Sequence, residues 1–537
     1  MIVDPIARGL KSGWKVIDAS KLDRDVHLEA DVAIVGTGAG GGTAAEILSA
    51  AGLHVVMIEE GPLKSSSDFH MLEREAYPTL YQESAARQTK DKGITILQGR
   101  SVGGSTTVNW TSSFRTPSDT LAYWRQHYGL ERYTPELLAP WFELMEQRLS
   151  IHRWQMAPNE NNAALQRGAA KVGIPTAVIP RNVKGCQNLG YCGMGCPVNA
   201  KQSMLVTTIP AALERGSVLV HHARAERFTL DGDEVSGLIC SALDSRDQRN
   251  LPYQVTVRAK TYVAAAGAIG SPALLLRSHI PNPHRHLGKR TFLHPVVLSA
   301  AIMPEAVDGF SGAPQSIYSD HFLDTQSIDG PIGYKLEVPP IHPLLAAVTM
   351  PGFGPQATQN MDAFARTQVI IALMRDGFSE QSTGGNVELR RNHAPVLDYP
   401  ITPYVWEGMR RAYLTMAQIQ FAAGAKSVMP IHESAFAYTS WPQAQAQIAA
   451  LPMEILLARV VSAHVMGGCA MGADEHESVV SGNGRHHIVG NLYVFDGSVF
   501  PTSLGVNPQL SIYGIVARNA NLLASSLLGK PLEKRIV

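Results

Sequence analysis

The chain has 537 residues, of which 45% are hydrophobic and 17% are charged, a composition typical of a globular protein with a large interior. A chain of this length usually exceeds what one hydrophobic core serves, so we expect two domains. The 46 basic and 46 acidic residues cancel, and this balance gives no electrostatic reason to expect nucleic acid or an anionic membrane surface as a partner.

Three sequence features bear on the cellular compartment. The most apolar stretch, residues 262–276, is interrupted by Gly267, Gly270 and Pro272 and does not reach the length of a membrane-spanning helix. Residues 1–11 lack the apolar core of a signal peptide, and the five cysteines are too few for a disulfide framework. We therefore expect a cytoplasmic protein without a transmembrane segment, and this expectation leaves room for peripheral membrane association.

The first strong motif is a glycine-rich turn near the N-terminus. An apolar segment at 31–35 enters the pattern G-x-G-x-x-G at Gly36, Gly38 and Gly41, and after an alanine-rich stretch a second apolar segment ends at Glu59. The first glycine permits a tight turn, the second lets the backbone approach a pyrophosphate, and the third lets a helix pack closely on the strand. The helix N-terminus offers N–H groups to phosphates, and the acidic residue accepts hydrogen bonds from a ribose. These residues predict a bound dinucleotide.

Further elements follow in chain order. Residues 99–110 form a second glycine-rich turn. Apolar spacing predicts a surface helix at 135–149, a strand at 218–228 and an amphipathic helix at 405–423. A buried strand is also expected to break at Gly267 into a helix. Near the C-terminus, His464 begins the pattern H-x-x-G-x-C-x-M-G, Asp496 and Gly497 begin a turn, and Asn507 precedes a proline. No repeat or low-complexity tract is evident.

A glycine-rich loop contains three of the five cysteines, Cys186, Cys192 and Cys196. Glycines let a loop wrap an inorganic core and present N–H groups to its sulfides, and a Cys-Pro pair often closes such loops. Zinc is a poorer alternative because a fourth ligand is not evident, although His221 or His222 could supply one. The remaining interpretation, a tightly turned structural loop with free thiols, is the one we favour.

Together, these motifs resemble the glucose–methanol–choline (GMC) oxidoreductase family in order and spacing, from about residue 30 to the end of the chain. The resemblance implies an α/β fold (α+β overall) with an FAD-binding, Rossmann-like domain and a discontinuous substrate domain of sheet and helices. The expected FAD-binding segments are 1–125, 201–290 and 456–537. Residues 126–200 would form a helical insert with the cysteine-rich loop, and residues 291–455 the substrate-binding domain.

The resemblance also implies positions for FAD. The residues that match flavin-binding positions of the family are Gly36, Gly38, Gly41, Glu59, Gly103, Gly104, Asn109, Ala225, Gly267, Asp496, Gly497 and Asn507. Ala225 would contact the adenine through its backbone, and Asp496 with Gly497 would lie near the ribityl chain and the pyrophosphate. Some relatives attach the flavin to a histidine after the second glycine-rich turn. Residues 104–109 contain no histidine, so we expect non-covalent FAD.

His464 and Asn507 match the positions of the family's catalytic pair, whose second member is His or Asn. Hydride transfer from an alcohol to flavin N5 requires removal of the hydroxyl proton, and histidine, with an unperturbed pKa of about 6.5, suits this role. We therefore expect His464 to act as the base and Asn507 to orient the substrate oxygen. Cys469 is interpreted as a packing residue and His294 as a structural one.

The chain looks most like the bacterial long-chain (fatty) alcohol oxidase/dehydrogenase branch of the family. This implies oxidation of a long-chain or otherwise apolar primary alcohol to the aldehyde, with O2, a quinone or a cytochrome as electron acceptor. Residues 341–355 and 370–374 could line an apolar tunnel or could be ordinary core. The cysteine spacing is similar to that of FAD sugar dehydrogenases in which three cysteines hold a [3Fe–4S] cluster.

Other activities stay open at the level of sequence. They are the oxidation of a sugar, sterol or aromatic alcohol, a GMC-type lyase or decarboxylase reaction, and electron transfer to another subunit. The catalytic pair disfavours the last two.

Overall fold

The computed structural model describes residues 3–246 and 249–532. Within these ranges the α-helices are α1 (Pro5–Lys11), α2 (Ala39–Ala50), α3 (Glu73–Leu80), α4 (Ser105–Val108), α5 (Ser118–Tyr128), α6 (Pro135–Arg148), α7 (Glu160–Lys171), α8 (Thr208–Glu214), α9 (Gly267–Arg277), α10 (His321–Asp324), α11 (Pro343–Thr349), α12 (Pro355–Asp362), α13 (Pro403–Ala422), α14 (Trp441–Ala449) and α15 (Gln509–Leu528). Residues 1–2, 247–248 and 533–537, which the sequence assigns to the flavin-binding segments, lie outside the described residues.

The strands of the same ranges are β1 (Lys15–Asp18), β2 (Val26–Val35), β3 (Val55–Ile58), β4 (Ile94–Ile96), β5 (Ile151–Arg153), β6 (Ala177–Val178), β7 (Pro180–Asn182), β8 (Val218–His221), β9 (Ala223–Asp231), β10 (Glu234–Leu243), β11 (Asn250–Ala264), β12 (Thr291–Leu293), β13 (Val296–Ile302), β14 (Ile317–Ser319), β15 (Tyr334–Glu337), β16 (Thr367–Met374), β17 (Asn386–Leu389), β18 (Pro395–Asp398), β19 (Ser427–Pro430), β20 (Val460–Ser462), β21 (Val465–Gly467) and β22 (Leu492–Val494).

The first sheet carries the glycine-rich turn. Its strand order is β1–β8–β3–β2–β11–β10–β9, and β22 pairs with β11. The pairings from β1 to β11 and that of β22 are parallel, whereas β9, β10 and β11 are antiparallel neighbours. Helix α2 connects the parallel strands β2 and β3 and packs against α15. The C-terminal half of β2 and all of β3 are buried, as expected for parallel strands covered on both faces.

The second sheet is mostly antiparallel and has the order β4–β20–β13–β16–β15–β14–β6, with β19 paired to β13. Side chains of a strand alternate between the two faces of a sheet. On one face, alternate residues of β13 and β16 pack against α13 in a large core cluster. On the opposite face, the intervening residues form a smaller apolar cluster. The mixed α/β fold that the sequence predicts is confirmed.

The predicted elements appear with one correction. The helices expected at 135–149 and 405–423 are α6 and α13. The single strand expected at 218–228 is divided into β8 and β9, because His222 between them has a left-handed φ of +55°. This turn lets β8 pair with β1 and β3 while β9 pairs with β10.

The domain boundaries stay a prediction. The short strands β4, β6 and β20 belong to the second sheet, although their residues fall in the segments 1–125, 126–200 and 456–537. The chain therefore passes between the two sheets more often than those boundaries imply. No helix in residues 3–246 or 249–532 combines the length and the apolar character that crossing a membrane requires.

Candidate active site

A cavity of about 660 Å³ is lined by residues from both sheets. This volume is within the ~300–1,000 Å³ range of typical ligand pockets. Eleven of the residues predicted from the sequence line it: Gly36, Gly38, Glu59, Gly104, Asn109, Ala225, Gly267, His464, Asp496, Gly497 and Asn507. Two of the predicted flavin-binding residues, Gly41 and Gly103, are not among the lining residues. The cavity thus brings together the expected nucleotide-binding and catalytic positions.

The glycine-rich turn has the backbone geometry that each glycine was expected to provide. Gly36 has a φ of +98°, and a Cβ there would lie 2.3 Å from the carbonyl oxygen of Ala265. A Cβ on Gly41 would lie 1.9 Å from the carbonyl oxygen of Gly36, so only glycine lets α2 approach the strand this closely. A Cβ on Gly38 would instead point into open space, with Gly104 Cα the nearest atom at 3.8 Å. That space is where a pyrophosphate would lie.

Glu59 closes the same turn from the end of β3. Its Oε2 accepts hydrogen bonds from the N–H of Thr37 at 3.1 Å and from Thr37 Oγ1 at 2.6 Å, and its Oε1 accepts from the N–H of Gly61 at 3.0 Å. Burial raises the pKa of Glu59 to about 7, although these hydrogen bonds act to lower it. The N–H of Gly103 donates to Thr37 Oγ1, so the two glycine-rich turns are joined through one threonine. The carboxyl group is therefore held in place at the cavity wall.

Asp496 also lines the cavity and is held by three hydrogen bonds. Its Oδ2 accepts from the N–H of Gly267 at 2.9 Å and from Ser271 Oγ at 2.5 Å, and its Oδ1 accepts from the N–H of Ser498 at 2.8 Å. Burial raises the pKa of this carboxyl group while the hydrogen bonds oppose the change. The start of α9 and the short 3-10 helix at Gly497–Val499 are thereby tied to one side chain.

The donor set of the cavity fits the FAD that the family resemblance implies. Within the described chain, no side chain caps the N-terminus of α2, so its N–H groups are left for phosphate oxygens. The open space at Gly38 admits a pyrophosphate, and Glu59 and Ala225 lie at the wall where the adenosine half is expected. These residues would hold the nucleotide largely through backbone groups, without adding charge.

His464 lies between β20 and β21 and faces the cavity. Its Nδ1 is 3.0 Å from Nδ1 of His294, and His294 Nε2 accepts a hydrogen bond from the N–H of Gly505 at 3.0 Å. Burial lowers the pKa of His464 to about 4, with a smaller contribution from the charge of Lys335, and burial also lowers the pKa of His294 well below its usual value. Both imidazoles are therefore neutral near pH 7.

These contacts assign the protons of the histidine pair. Because the Gly505 N–H occupies His294 Nε2, a neutral His294 carries its proton on Nδ1 and donates it to His464 Nδ1. A neutral His464 must then carry its own proton on Nε2. In the absence of substrate, His464 is thus expected to present an N–H donor to the cavity. His294 sets the tautomer of His464 through this contact. Interpreting His294 as a purely structural residue is therefore incomplete.

Asn507 is oriented by a buried carboxyl group. Its Nδ2 donates to Glu337 Oε2 at 3.3 Å, while Asn507 Oδ1 and Glu337 Oε1 are buried without a hydrogen-bond partner among the described residues. Burial raises the pKa of Glu337 to about 7, and the charge of Lys335 opposes this. Lys335 is fully buried, donates to Asp320 at 2.7 Å and lies 3.8 Å above the ring of Phe114. An unpaired buried acceptor is costly, so Asn507 Oδ1 is suited to accept from a substrate hydroxyl.

The far end of the cavity is apolar because of strand alternation. Val296 and Leu298 of β13 and Ile371 and Leu373 of β16 line it. Their neighbours in sequence, including Ile370, Ala372 and Met374, point to the opposite face and join the core under α13. The sequence left open whether residues 341–355 and 370–374 line a tunnel or belong to the core. In segment 370–374, alternate residues line the cavity and the others belong to the core. The other, 341–355, contributes Ile341, Leu345, Ala346, Thr349 and Met350 to the wall.

The cysteine loop lies beside the cavity and does not line it. Cys186, Cys192 and Cys196 are free and half-buried, and their three sulfur atoms do not all lie within 4.8 Å of one another, as ligands of a single ion would. The ligand atoms of His221 and His222 lie close to Asp18 and not to the cysteines. This arrangement argues against a zinc site made of the cysteines and one of these histidines. The pKa of Cys186 is raised by burial.

One buried cation holds this loop against the second glycine-rich turn. Lys201 Nζ donates to the carbonyl oxygens of Cys192 at 2.7 Å, Thr107 at 2.6 Å and Asn109 at 3.0 Å. Burial lowers the pKa of Lys201 to about 8. Arg181, also buried, donates to Cys192 Sγ at 3.6 Å. These hydrogen bonds attach the loop to the second glycine-rich turn.

Glu337 and Lys335 were not predicted from the sequence, and His294 was predicted to be only a structural residue. Lys335 and Glu337 are two positions apart on β15, a strand of four residues that are all buried. Two charged residues facing the same way inside an otherwise apolar strand are a signal that could have marked a buried polar network.

Comparison with known proteins agrees with this architecture. Residues 77–296 and 381–515 match the two GMC oxidoreductase family models. An uncharacterised GMC-type oxidoreductase of Mycobacterium tuberculosis is 31% identical over 93% of this chain and 76% of its own length. Long-chain-alcohol oxidase FAO1 of Arabidopsis thaliana is 28% identical over 96% of this chain and 69% of its own length. The solved structure of pyridoxine 4-oxidase from "Mesorbium loti" superposes with a TM-score of 0.68 at 19% identity, covering 92% of this chain and 98% of that one. The chain belongs to the GMC oxidoreductase family and is an FAD-binding oxidoreductase that acts on CH–OH donors.

Proposed function

We propose that this enzyme oxidises a long-chain or otherwise apolar primary alcohol to the aldehyde. The observation that carries the proposal is the apolar face of β13 and β16, which lines the cavity that also contains His464 and Asn507. The similarity to a long-chain-alcohol oxidase supports the same substrate class. Bound FAD would supply the hydride acceptor, and Gly38, Glu59 and Asp496 would hold it.

His464 has two candidate roles that differ in the position of one proton. With the proton on Nε2, it donates to the substrate oxygen and stabilises negative charge there, and the hydroxyl proton must then pass to solvent. As the base expected from the sequence, it must have Nε2 free and its proton on Nδ1. His294 would then have to accept at Nδ1, which the Gly505 N–H on its Nε2 disfavours while His294 is neutral.

His294→Asp distinguishes these roles, because an ionised carboxylate at the position of His294 Nδ1 can only accept a hydrogen bond. It accepts a hydrogen bond from His464 Nδ1 and so favours the base tautomer. Faster flavin reduction by alcohol in the variant supports a base, whereas slower reduction with FAD retained supports a donor.

An anaerobic screen of flavin bleaching across alcohols of different length and polarity tests the proposal. We expect primary alcohols with long alkyl chains to reduce the flavin faster than sugars, sterols or aromatic alcohols. Preferential reduction by a sugar would overturn the substrate class. Bleaching by none of the alcohols would favour the lyase or decarboxylase alternative, since those reactions involve no net alcohol oxidation.

We infer that the flavin is held non-covalently, because residues 104–109 offer no histidine. The histidines that line the cavity are His393, which is exposed, and His464, which belongs to the catalytic pair. Precipitation with denaturant should therefore release all of the flavin into the supernatant. Flavin that stays in the pellet would contradict non-covalent binding and would make His393 the first attachment site to examine.

The electron acceptor depends on the cysteine loop. If Cys186, Cys192 and Cys196 hold a [3Fe–4S] cluster, anaerobically purified protein contains about three irons per chain with acid-labile sulfide, and a quinone or cytochrome is the acceptor. We propose instead that the loop is structural, held by Lys201, and that O2 is the acceptor. Flavin-containing protein without iron is the expected result, and stoichiometric iron would overturn it.

We also propose a cytoplasmic enzyme that associates peripherally with membranes. The segment that contains α11 and α12 places Leu345 and Met350 on the cavity wall. Its Leu344, Val348 and Phe353 face solvent with 43%, 63% and 90% of their surface exposed. Exposed apolar residues beside a cavity mark a surface that a lipid phase can cover. The enzyme should co-sediment with neutral phosphatidylcholine vesicles, and Phe353→Ser should weaken this; equal sedimentation would contradict it.

A further inference from the structure

A second cluster of ligand-type side chains lies outside the cavity lining, at the carboxyl ends of β1 and β8. Asp18 ends β1 and His221 ends β8, and the two residues are direct partners in the parallel pairing. The ring centroid of His222, the next residue, is 4.9 Å from that of His221. One ligand atom from each of the three side chains lies within 4.8 Å of the other two.

His221 is the member of the cluster that most needs a partner. Its side chain is 9% exposed, and its Nδ1 is buried without a hydrogen-bond partner among the described residues. Asp18 Oδ1 lies 3.9 Å from this nitrogen, which is too far for a hydrogen bond. A buried ring nitrogen that no protein group satisfies is costly unless another group completes it.

The carboxylate is already held in place for coordination. Asp18 Oδ1 accepts hydrogen bonds from the N–H of Ser20 at 3.1 Å and from Ser20 Oγ at 2.6 Å. Such outer contacts orient the carboxylate ligands of metal sites. Asp18 Oδ2 is 3.0 Å from Lys21 Nζ, whose side chain is 81% exposed and so can move into solvent.

We propose that Asp18, His221 and His222 bind one Zn²⁺ ion, with water in the remaining position. Two imidazoles and one carboxylate are ligands that this ion accepts in tetrahedral sites. Zn–N and Zn–O bonds of about 2.0–2.1 Å place neighbouring ligand atoms roughly 3.3 Å apart, so the 3.9 Å separation of His221 Nδ1 and Asp18 Oδ1 needs to shorten by only about half an ångström.

An ion at this site would stabilise one edge of the first sheet. Strand β1 is the edge of the first sheet, and an ion shared by Asp18 and His221 would join it to β8. Ala223, the residue after His222, lines the cavity, and its N–H donates to the carbonyl oxygen of Glu59 at 3.0 Å. Bound Zn²⁺ should therefore stabilise the wall on which the adenosine half of FAD is expected.

Titration of the metal-stripped holoenzyme with Co²⁺ tests the site, because tetrahedral Co²⁺ absorbs visible light and replaces Zn²⁺. Difference spectra against the flavin background should show one Co²⁺ per chain, displaced by Zn²⁺, and Zn²⁺ should raise Tm. His222→Gln and Asp18→Asn should weaken Co²⁺ binding at least tenfold, and Ser20→Ala should weaken it about tenfold through the carboxylate. Lys21→Met should strengthen binding, since it removes the competing ammonium group.

His476→Ala is the matched control, because His476 and His284 form an exposed histidine pair elsewhere, with ring centroids 4.4 Å apart. Binding should be unchanged in this variant. Full FAD content verifies that each variant is folded. Equal Co²⁺ spectra in His222→Gln and wild type, or the loss of the spectrum in His476→Ala alone, would overturn the assignment.

Discussion

The two ends of the cavity are built in different ways. The nucleotide end depends on backbone geometry at single positions, such as the +98° φ of Gly36 and the open space at Gly38. The opposite end depends on which side chains of β13 and β16 happen to face the cavity. A backbone requirement restricts the residue type to glycine, whereas a sheet face accepts many apolar residues. If the two ends hold FAD and substrate as proposed, the sequence restricts the cofactor-binding positions more strongly than the substrate-binding ones.

The glycine-rich turn offers the largest expected effect. Gly38→Val should give folded but colourless protein, because its side chain would occupy the space of the pyrophosphate while meeting no protein atom closer than 3.8 Å from its Cβ. Absorbance of the purified protein near 450 nm and its circular dichroism measure the two properties separately.

Gly41→Ala is the matched control within the same turn. Its Cβ would lie 1.9 Å from the carbonyl oxygen of Gly36, so this variant should lose stability and not FAD affinity alone. Full FAD occupancy in Gly38→Val would show that the turn is not the phosphate site.

Substitutions of His464 and Asn507, the proposed catalytic pair, should have the next largest effect. His464→Ala should retain FAD but reduce the rate of flavin bleaching by alcohol about 10²–10⁴-fold, the usual cost of removing an acid–base group. Asn507→Ala should slow the same step less, because an amide orients the substrate and does not transfer the proton. Stopped-flow absorbance under anaerobic conditions measures both rates. A His464→Ala rate above a third of the wild-type rate would contradict the assignment.

The same contrast explains what the sequence could and could not predict. Gly36, Gly38 and Glu59 are predicted from a local pattern, because the turn, the helix start and the acidic residue lie within one short segment. Asp496 is predicted only from the family resemblance. The contact of His294 with His464 joins residues 170 positions apart. No local pattern encodes such a contact, so only the folded chain shows that His294 sets the tautomer of His464.

A smaller effect is expected at the apolar end. Ile371→Ala and Ile370→Ala remove the same atoms from opposite faces of β16. Ile371→Ala should change the ratio of flavin-reduction rates for long and short alcohols by about tenfold, because each methylene contact in a pocket contributes ~1–3 kcal/mol. Ile370→Ala should leave this ratio unchanged and lower the free energy of unfolding by about 2–5 kcal/mol, since Ile370 is fully buried in the core. The same change of ratio in both variants would mean that β16 does not divide substrate from core.

The smallest effect concerns the carboxyl group behind Asn507. Burial raises the pKa of Glu337 to about 7, so this group becomes ionised as the pH rises through about 7. The ionised form accepts a stronger hydrogen bond from Asn507 Nδ2 and fixes the amide. The rate of flavin reduction should therefore increase a few-fold between about pH 6 and pH 8. His464, with a pKa of about 4, contributes no change in this range.

Three variants assign that pH dependence to Glu337. In Glu337→Gln the increase near pH 7 should disappear, while FAD binding is retained. In Lys335→Met the increase should move to higher pH, because the buried ammonium group acts to lower the pKa of Glu337. Asp320, the ion-pair partner of Lys335, acts in the opposite direction, so Asp320→Asn should move the increase to lower pH. An unchanged profile in Glu337→Gln would mean that the carboxyl group orients Asn507 equally well in both protonation states.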